Sequence, residues 1–343
     1  MNLQFTAERE TARLHLTDGR SVERPIEIRR HPLTGETTRI LGAPFRPLRV
    51  PDIRTQYAAS RVGCPFCPDA LEKSTPRFHP DEFDIPRFTA GEARVFPNLL
   101  AYSGVCALTV LTAEHFVPLI ELRAEMLLDG FRAARAFFHA AREARPDVPI
   151  RLLHWNFMPP AGSSILHPHH QLMATATAPN RLRRLAEGSA RYLAETGRNA
   201  WTELVARERR SGERWVGETA PWSWVAEAVP QGRYFELVGI HESRGDVADL
   251  RDEDFRPLTE TLLRVFSYLD ANGLWSFNLA LMGIPDASRG FRCQVRLVPR
   301  TFFPPAQCAD VAFEVIEAEP TALRAPGVVA RELRACVDQG ETG

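Results

Sequence analysis

The chain has 343 residues, of which 44% are hydrophobic and 25% charged, a composition typical of a soluble globular protein with two domains or with one fold built from two similar halves. No apolar run approaches the ~20 residues of a membrane-spanning helix, and a net charge of -1 excludes a general attraction to nucleic acid or to an anionic membrane. Because the first residues show neither a signal-peptide nor a transit-peptide pattern, we expect a cytoplasmic protein.

The cysteine and lysine content limits the chemistry. Six cysteines in a chain without a secretion signal favour reduced thiols or metal ligands over a disulfide framework, and only Cys64 and Cys67 lie close together. Lys73 is the one lysine, so mechanisms that need a lysine Schiff base or a P-loop lysine have little support.

The first part of the chain predicts strands around one long helix. The first 60 residues alternate apolar and polar positions around the turn HPLTG, which indicates strands and hairpins, and a proline-rich loop runs from Cys64 to about Pro86. EARVFPNLLAY and VCALTVLTAEH then predict two strands, LIELRAEMLLDGFRAARAFFHAAREARPD a helix, and VPIRLLHWNF another strand. The turn PPAGSS leads into ILHPHHQLMAT, and Pro179 ends this part.

The second part repeats this order. Asn180 to Arg210 has helical spacing, and RERRSGER is interpreted as a solvated, charged turn at its end. RYFELVGIH predicts a strand, LRDEDFRPLTETLLRVFSYLDANG a helix, and WSFNLALMG and FRCQVRLVP two strands. We therefore predict an α+β fold made of a duplicated unit, residues 1–179 and 180–343, in which the second copy lacks the histidines of the first.

Three histidines and a glutamine stand within HPHHQ. In a strand, alternate side chains share a face, so His167, His169 and Gln171 line one surface ~7 Å apart while His170 points to the other. The preceding AGSS turn can offer backbone N–H groups and hydroxyls to an anion. This pattern is typical of a phosphate held beside a nucleophilic or acid-base imidazole, although a polar sheet face or a structural metal site remains an alternative.

The motif CPFC predicts a metal site. Cys64 and Cys67 can bind one zinc ion if two histidines complete the tetrahedron, and His115 and His167 are candidates because they lie near the ends of predicted strands. A redox CxxC is the competing interpretation, but this one does not begin a helix after a strand. Four protein ligands leave no open position, so we expect the zinc to be structural.

Three further residues are weaker candidates. Asn98 in VFPN can hydrogen-bond a base or a ribose, and Arg46 and Arg49 can hold phosphates through charge-assisted hydrogen bonds. Taken alone, each is better explained as a turn residue or a surface charge.

The segments HPLTGE, CPFCP, VFPN, AEH and AGSSILHPHHQ, in this order and at these intervals, resemble the galactose-1-phosphate uridylyltransferase family of the histidine-triad superfamily. The resemblance implies a fold of two histidine-triad-like halves, with antiparallel sheets and flanking helices. It also implies a role in carbohydrate metabolism and a homodimer with shared active sites.

The resemblance also assigns roles to residues. His169 would be the nucleophile that takes a nucleoside monophosphate from a nucleotide sugar and passes it to a sugar 1-phosphate, and Gln171 would hydrogen-bond the transferred group. The zinc ligands would be Cys64, Cys67, His115 and His167. The substrate-binding residues would be Arg46, Arg49, Asn98, Asn156, Ser163, Ser164 and Glu314.

The chain also departs from the family pattern. Met282, Gln294 and Arg296 fall near the histidines of a second metal site in the family, so we predict a single zinc per chain. Cys308 stands where the sugar-binding segment has a lysine, and Leu99 replaces an acidic residue that follows the nucleoside-contacting asparagine.

Two alternatives to a uridylyltransferase follow from these departures. One is a phosphorylase of the same superfamily, in which inorganic phosphate attacks an intermediate formed from an ADP-sugar, a GDP-sugar or a dinucleoside polyphosphate. The other is a non-enzymatic, zinc-stabilised nucleotide-binding protein.

Overall fold

Two sheets organise the chain, one of ten strands and one of four. The structure is a computed structural model, and it describes residues 3–43, 45–285, 290–300 and 312–338. The strands are β1 (Thr6–His15), β2 (Ser21–Arg30), β3 (Thr37–Ile40), β4 (Phe88–Ala90), β5 (Ala93–Pro97), β6 (Val105–Val110), β7 (Ile150–Phe157), β8 (His169–Thr175), β9 (Trp215–Thr219), β10 (Trp222–Ala226), β11 (Leu237–His241), β12 (Phe277–Met282), β13 (Gln294–Pro299) and β14 (Thr321–Ala322).

Helices flank the large sheet. They are α1 (Ile53–Gln56), α2 (Pro68–Ser74), α3 (Ala124–Ala144), α4 (Asn180–Thr196), α5 (Ala200–Ser211), α6 (Asp252–Ala271), α7 (Ala312–Val315) and α8 (Pro326–Asp338). The small sheet has the order β1-β2-β3-β14 and is antiparallel except for the β3–β14 pair. Within the described ranges, no helix combines the length and apolar character needed to cross a membrane.

The strand order of the large sheet is symmetric about its centre. It runs β4-β5-β6-β8-β7-β12-β13-β11-β10-β9, so the first five strands and the last five meet at the antiparallel β7–β12 pair. In each set, a long helix connects the third strand to the fourth, α3 in one and α6 in the other. The predicted α+β, antiparallel fold is confirmed, and the strand order supports the proposed duplication. The boundary at residue 179 stays a prediction.

The two faces of the large sheet are covered differently. On one face, α3, α6 and α8 enclose the main core, where the rings of Phe131 and Phe255 stack with centroids 5.3 Å apart. Gly130 allows α3 to approach the sheet, since a Cβ there would lie 2.4 Å from the Leu111 side chain. The other face is covered in part by α4 and α5, whose buried residues include Leu185 and Trp201. His169 and Gln171 lie on this second face, because they alternate along β8 with His170, which packs into the main core. The CPFC loop packs on the same face, against Leu108 and Val110 of β6.

Two sequence-based expectations are corrected. The helical region after Asn180 is two helices, because Gly197 takes the left-handed conformation and the Asn199 side chain caps α5. The RERRSGER segment is not a solvated turn: most of it belongs to α5, and Glu208 and Arg214 form a buried ion pair. Alternating charges on a short segment do not show which of them a neighbouring sheet will cover.

Strand β13 carries an ion-pair network at Gln294 and Arg296, where the resemblance led us to expect no second metal site. The buried Arg296 donates through Nη1 to Glu227 at 3.0 Å and to Glu236 at 2.6 Å, and through Nε to the Gln294 side-chain oxygen at 3.0 Å. Burial alone would raise the pKa of Glu227. The attraction of the Arg296 guanidinium outweighs this effect and the pKa falls to about 2, so the network stays ionised.

Candidate active site and metal centre

Two cysteines and two histidines from separate parts of the chain meet in one buried cluster. The ligand atoms of Cys64, Cys67, His115 and His167 all lie within 4.8 Å of one another. The Cys67 sulfur is 3.5 Å from His115 Nδ1 and 3.9 Å from His167 Nδ1, and the Cys64 sulfur is 3.8 Å from His167 Nδ1. A tetrahedral zinc site has S···N edges of about 3.6 Å, so these three distances fit a zinc ion.

Backbone and hydroxyl groups orient both imidazoles. His167 Nε2 donates to the Thr112 carbonyl oxygen at 2.7 Å. His115 Nε2 donates to Ser60 Oγ at 2.9 Å, and the Ser60 hydroxyl donates to the Tyr57 carbonyl oxygen at 2.6 Å. Since each Nε2 carries the proton, each Nδ1 presents its lone pair to the sulfur atoms. This is the outer-shell arrangement that metal-binding histidines require.

The charge states of these ligands suit metal binding. Burial and the neighbouring Cys64 thiol raise the pKa of Cys67 to about 11, and burial lowers the pKa of His167 to about 4. In the metal-free cluster, the Cys67 thiol and the His167 imidazole are therefore neutral at neutral pH. A divalent cation would displace the thiol protons, as is usual for thiolate sites.

His169 lies at the start of β8 with one nitrogen held by the backbone. Its Nδ1 donates to the His167 carbonyl oxygen at 2.8 Å, so the lone pair is on Nε2. The ring of Phe66, between the two cysteines, meets the His169 ring edge-to-face with centroids 5.3 Å apart. Burial lowers the pKa of His169, and the imidazole is therefore neutral at neutral pH.

The metal cluster and His169 are directly connected. His167 faces the cysteines with its side chain and holds His169 with its carbonyl oxygen, while Phe66 contacts both rings. A metal bound by Cys64, Cys67, His115 and His167 would thus fix the backbone that orients His169. The alternation of the HPHHQ segment is as predicted, since His170 packs into the opposite core.

Gln171 lies two residues beyond His169 on the same face and is hydrogen-bonded from two sides. Its Oε1 accepts from the Tyr102 hydroxyl at 3.2 Å and from Asn156 Nδ2 at 3.3 Å. Asn278 Nδ2 in turn donates to Asn156 Oδ1 at 2.8 Å. Sequence analysis missed Tyr102 and Asn278. The shared pattern of aromatic residue, asparagine and apolar residue in WNF and FNL could have pointed to Asn278.

The turn before HPHHQ lies next to this group. Asn278 Nδ2 also donates to the Ala161 carbonyl oxygen at 2.8 Å, and Gly162 follows with a φ of 88°. Ser163 Oγ donates to the Ile165 carbonyl oxygen at 2.7 Å, whereas the Ser164 side chain is exposed and makes no hydrogen bond to any described residue. Ser164 is the hydroxyl of the pair that remains available to a ligand.

Asn98 uses its side chain within its own loop. Its Oδ1 accepts from the Leu100 backbone N–H at 3.0 Å, and its Nδ2 lies 3.7 Å from the Cys106 sulfur. This loop carries Tyr102 to Gln171 and leaves the side chains of Leu99 and Leu100 exposed.

Arg46 and Arg49 are not brought to His169 within this chain. Both side chains are exposed and form no ion pair with the part of the chain that the structure describes. Two contacts fix the segment that carries them. The Phe45 and Tyr234 rings lie with centroids 5.6 Å apart, and the Leu48 N–H donates to the Asn272 carbonyl oxygen at 3.0 Å.

Glu314 lies on α7 and also makes no contact with His169. Its carboxylate accepts from the Thr321 hydroxyl at 2.7 Å and lies 3.6 Å from the Arg233 guanidinium. Together with Arg184 and Gln231, Glu314 lines a polar cavity of about 250 Å³. Cys308, which replaces the family's lysine, falls outside the described residues.

Comparison with known proteins was made by sequence and by structure. No family model matches the chain. An uncharacterised protein of Archaeoglobus fulgidus is 30% identical over 333 residues, covering 97% of this chain and 98% of that protein. A galactose-1-phosphate uridylyltransferase of Streptomyces lividans is 27% identical over 242 residues, which span 66% of this chain and 63% of that enzyme. The similarity to this enzyme supports the assignment of this chain to the galactose-1-phosphate uridylyltransferase family.

Solved structures agree with the family fold. A uridylyltransferase-like protein of Arabidopsis thaliana superimposes with a TM-score of 0.69 at 17% identity, covering 90% of this chain and 98% of that one. A uridylyltransferase superimposes with a TM-score of 0.65 at 19% identity, covering 91% and 99%. An ADP-glucose phosphorylase of Arabidopsis thaliana gives 0.66 at 17%, covering 90% and 98%. These structural similarities show that this chain shares the α+β fold of these three proteins.

Proposed function

We propose that this protein is a nucleotidyltransferase that moves a nucleoside monophosphate from a nucleotide sugar to a sugar 1-phosphate, with His169 as the covalent carrier. The observation that carries the proposal is the hydrogen bond from His169 Nδ1 to the His167 carbonyl oxygen, at 2.8 Å. It leaves the unprotonated Nε2 as the nucleophilic atom, next to the amide of Gln171.

The two steps of the reaction follow from this tautomer. Nε2 attacks the α-phosphorus, a P–N bond forms, and the P–O bond to the sugar 1-phosphate breaks. A phosphate oxygen of the second sugar 1-phosphate then attacks the same phosphorus, the P–N bond breaks, and the lone pair returns to Nε2. The attacking nitrogen carries no proton, so the first step needs no external base. The His167 carbonyl stabilises the positive charge that the ring gains while it is nucleotidylated.

The neighbouring polar groups have roles in this scheme. The Gln171 amide and the free hydroxyl of Ser164 would donate to the oxygens of the transferred group. Arg46 and Arg49 would neutralise the substrate phosphates from a second copy of the chain, since neither contacts His169 in its own chain. Asn98 and Glu314 would contact the nucleoside and the sugar.

We assign zinc to the cluster of Cys64, Cys67, His115 and His167. The donor set and its spacing suit zinc, and all four tetrahedral positions are filled by protein. Bound zinc would supply rigidity and no open coordination position. Its consequence for catalysis is the fixed position of the His167 carbonyl beside His169.

A phosphorylase is the second candidate. It is favoured by the substitutions in the family's specificity segments, Cys308 for a lysine and Leu99 for an acidic residue. In that reaction inorganic phosphate, rather than a sugar 1-phosphate, attacks the intermediate. The first step and the roles of His169 and Gln171 are the same.

Mass spectrometry of the intact, metal-loaded protein tests the proposal. Incubation with UDP-glucose, ADP-glucose or GDP-mannose, without acceptor, is expected to add one nucleoside monophosphate to wild type and none to His169→Ala. His139→Ala, which changes an exposed histidine on α3, is the matched control and should be labelled like wild type. Adding galactose 1-phosphate or inorganic phosphate to the labelled protein shows which acceptor removes the adduct. A folded, metal-loaded protein that no nucleotide sugar labels would contradict the proposal.

A further inference from the structure

A series of three side-chain amides leads from the second half of the chain to Gln171. Asn278 on β12 lies directly opposite Asn156 on β7 in the sheet register. Asn278 Nδ2 donates to Asn156 Oδ1 at 2.8 Å, and Asn156 Nδ2 donates to Gln171 Oε1 at 3.3 Å. Each amide therefore passes its orientation to the next.

One backbone carbonyl determines the orientation of all three. The nitrogen and oxygen ends of an amide have nearly the same shape, so a hydrogen-bonding partner must distinguish them. The Ala161 carbonyl oxygen, 2.8 Å from Asn278 Nδ2, can only accept, so Asn278 must turn its NH₂ group towards it. The second hydrogen of that group is given to Asn156 Oδ1, which turns the Asn156 NH₂ group towards Gln171.

Gln171 is then left with one free end, its nitrogen. Its oxygen has two lone pairs, and these are used by Asn156 and by the hydroxyl of Tyr102 at 3.2 Å. The Nε2 hydrogens remain for a ligand. If the amide were inverted, its oxygen would face the anionic phosphoryl group and repel it.

We propose that Asn278 is a positioning residue that makes Gln171 a hydrogen-bond donor to the transferred phosphoryl group, acting through Asn156. The assignment rests on the proposed function for the identity of the ligand. The orientation of the amides is independent of the proposed function, because the Ala161 carbonyl determines it. The second half of the chain, which lacks the histidines, thus contributes to the site on the first half.

The variant Asn278→Asp tests the polarity directly, because it keeps the shape of the side chain and removes its donors. A carboxylate at this position accepts from Asn156, so the Asn156 amide inverts and the Gln171 amide inverts after it. We expect the single-turnover rate of His169 labelling, measured with whichever of UDP-glucose, ADP-glucose and GDP-mannose labels wild type, to fall roughly 10- to 100-fold. The substrate concentration for half-maximal rate should change less than about twofold.

Three other variants separate positioning from simple packing. Tyr102→Phe removes one bond to Gln171 without reversing the amide, so its rate should fall less than that of Asn278→Asp. Asn278→Ala, which leaves the orientation undetermined, should lie between these two and serves as the second test if the aspartate variant does not fold. Ala280→Ser, two residues along the same strand face, is the matched control and should label at the wild-type rate.

A measurement that needs no turnover keeps this inference separate from the proposed function. In protein labelled with ¹⁵N-asparagine and ¹⁵N-glutamine, the Gln171 side-chain NMR signals are identified by their loss in Gln171→Glu. They should shift in Asn278→Asp and stay in place in Ala280→Ser. If wild type is not labelled by any nucleotide sugar, the proposed function is overturned while the NMR comparison still decides the amide orientation. Unshifted Gln171 signals, or a wild-type labelling rate in Asn278→Asp, would overturn the role of Asn278.

Discussion

His170 is a buried histidine without a hydrogen-bonding role. Neither of its ring nitrogens has a partner among the described residues, and the hydroxyl of Thr109, its neighbour on β6, is also unpaired. The ring lies between Phe131 and Trp155, with centroid distances of 5.5 Å and 5.0 Å. Burial lowers its pKa to about 3, so it is neutral near neutral pH. His170 therefore occupies a place suited to an apolar residue.

Replacing this histidine by an apolar residue should stabilise the protein. His170→Leu removes two unpaired polar atoms while keeping a similar volume, and we expect the free energy of unfolding to rise by about 1–3 kcal/mol at pH 8. Urea denaturation of the metal-loaded protein measures it. His139→Leu, at an exposed position on α3, should change it by less than about 0.5 kcal/mol. Destabilisation by His170→Leu would show that the imidazole makes a favourable polar interaction.

The same substitution should also alter the response to acid. Below the unfolded-state pKa of about 6.5, the unfolded chain binds a proton at His170 and the folded chain does not until about pH 3. The free energy of unfolding of wild type therefore falls as the pH is lowered from about 6.5 to about 3. The stability advantage of His170→Leu over wild type should grow by about 1.4 kcal/mol per pH unit between pH 6 and pH 4. Urea denaturation at several pH values measures the difference, and a constant advantage would show that His170 titrates normally.

Met158 carries backbone strain next to the candidate site. It is buried, yet its φ of 73° and ψ of 160° lie in a region that residues other than glycine rarely occupy. It is also the residue that starts the turn leading to Ser163 and Ser164. The surrounding structure holds Met158 in this conformation, which lowers the free energy of unfolding.

Comparing glycine with alanine at this position measures the strain. Both Met158→Gly and Met158→Ala lose the side chain, but only alanine keeps a Cβ in the unfavourable conformation. We expect Met158→Gly to be more stable than Met158→Ala by about 1–2 kcal/mol. At Met173, a buried position in β8, the order should be the usual one, with alanine more stable by about 0.5–1 kcal/mol. The same order at both positions would mean that Met158 is unstrained.

At the scale of elements, the metal cluster joins three segments of the chain. Cys64 and Cys67 precede and cap the short helix α2, His115 follows β6, and His167 precedes β8. An ion shared by them would add to the small hydrophobic cluster that Phe66 and Leu71 form with β5 and β6, since a seven-residue helix is only marginally stable by itself. We therefore expect zinc to contribute to folding as well as to the site.

Removing one ligand should remove the metal. Purified wild type is expected to contain one zinc per chain by inductively coupled plasma mass spectrometry, and Cys64→Ser should contain almost none. The free energy of unfolding should fall by several kcal/mol in Cys64→Ser. Cys336→Ser, which changes a partly buried cysteine on α8, should keep the metal and most of the stability. Stoichiometric zinc in Cys64→Ser would contradict the ligand assignment.

The elements themselves were partly readable from sequence. Helices α3 and α6 and strands β5 to β7 follow from apolar spacing, because each packs one regular face against the core. Strands β9 and β10 were not predicted. All five residues of β10 are buried, so the alternation that identifies a half-exposed strand is absent there.

At the scale of the whole molecule, three of the expected substrate-binding residues form no hydrogen bond or ion pair with His169 or Gln171 within the described part of the chain. The Arg46 and Arg49 side chains are exposed, and the Glu314 carboxylate accepts from the Thr321 hydroxyl. The family resemblance implies homodimers with shared active sites. We therefore expect a symmetric dimer in which each copy supplies these residues to the other.

Mixed subunits test this arrangement. His169→Ala and the double variant Arg46→Ala, Arg49→Ala should each be nearly inactive alone. If they are co-expressed, half of the dimers should carry one complete site, so about a quarter of the wild-type labelling of His169 should return. Sedimentation velocity checks that wild type is a dimer. A monomeric protein, or a mixture that stays inactive although mixed dimers form, would contradict the shared site.

The sequence by itself determined the local parts of this protein. The α+β class and the position of His169 beside Gln171 on one strand face follow from residue spacing, because periodicity and motif spacing act over a few residues. The CPFC motif and the family resemblance together pointed to the four residues of the cysteine–histidine cluster. Only the tertiary structure decided how these parts are oriented. The bond between Asn278 and Asn156 joins residues 122 positions apart, and it exists because β7 and β12 pair in one register. The carbonyl groups that hold His169 and Asn278 leave no signal in the sequence, since every residue carries one and only the fold selects which is used.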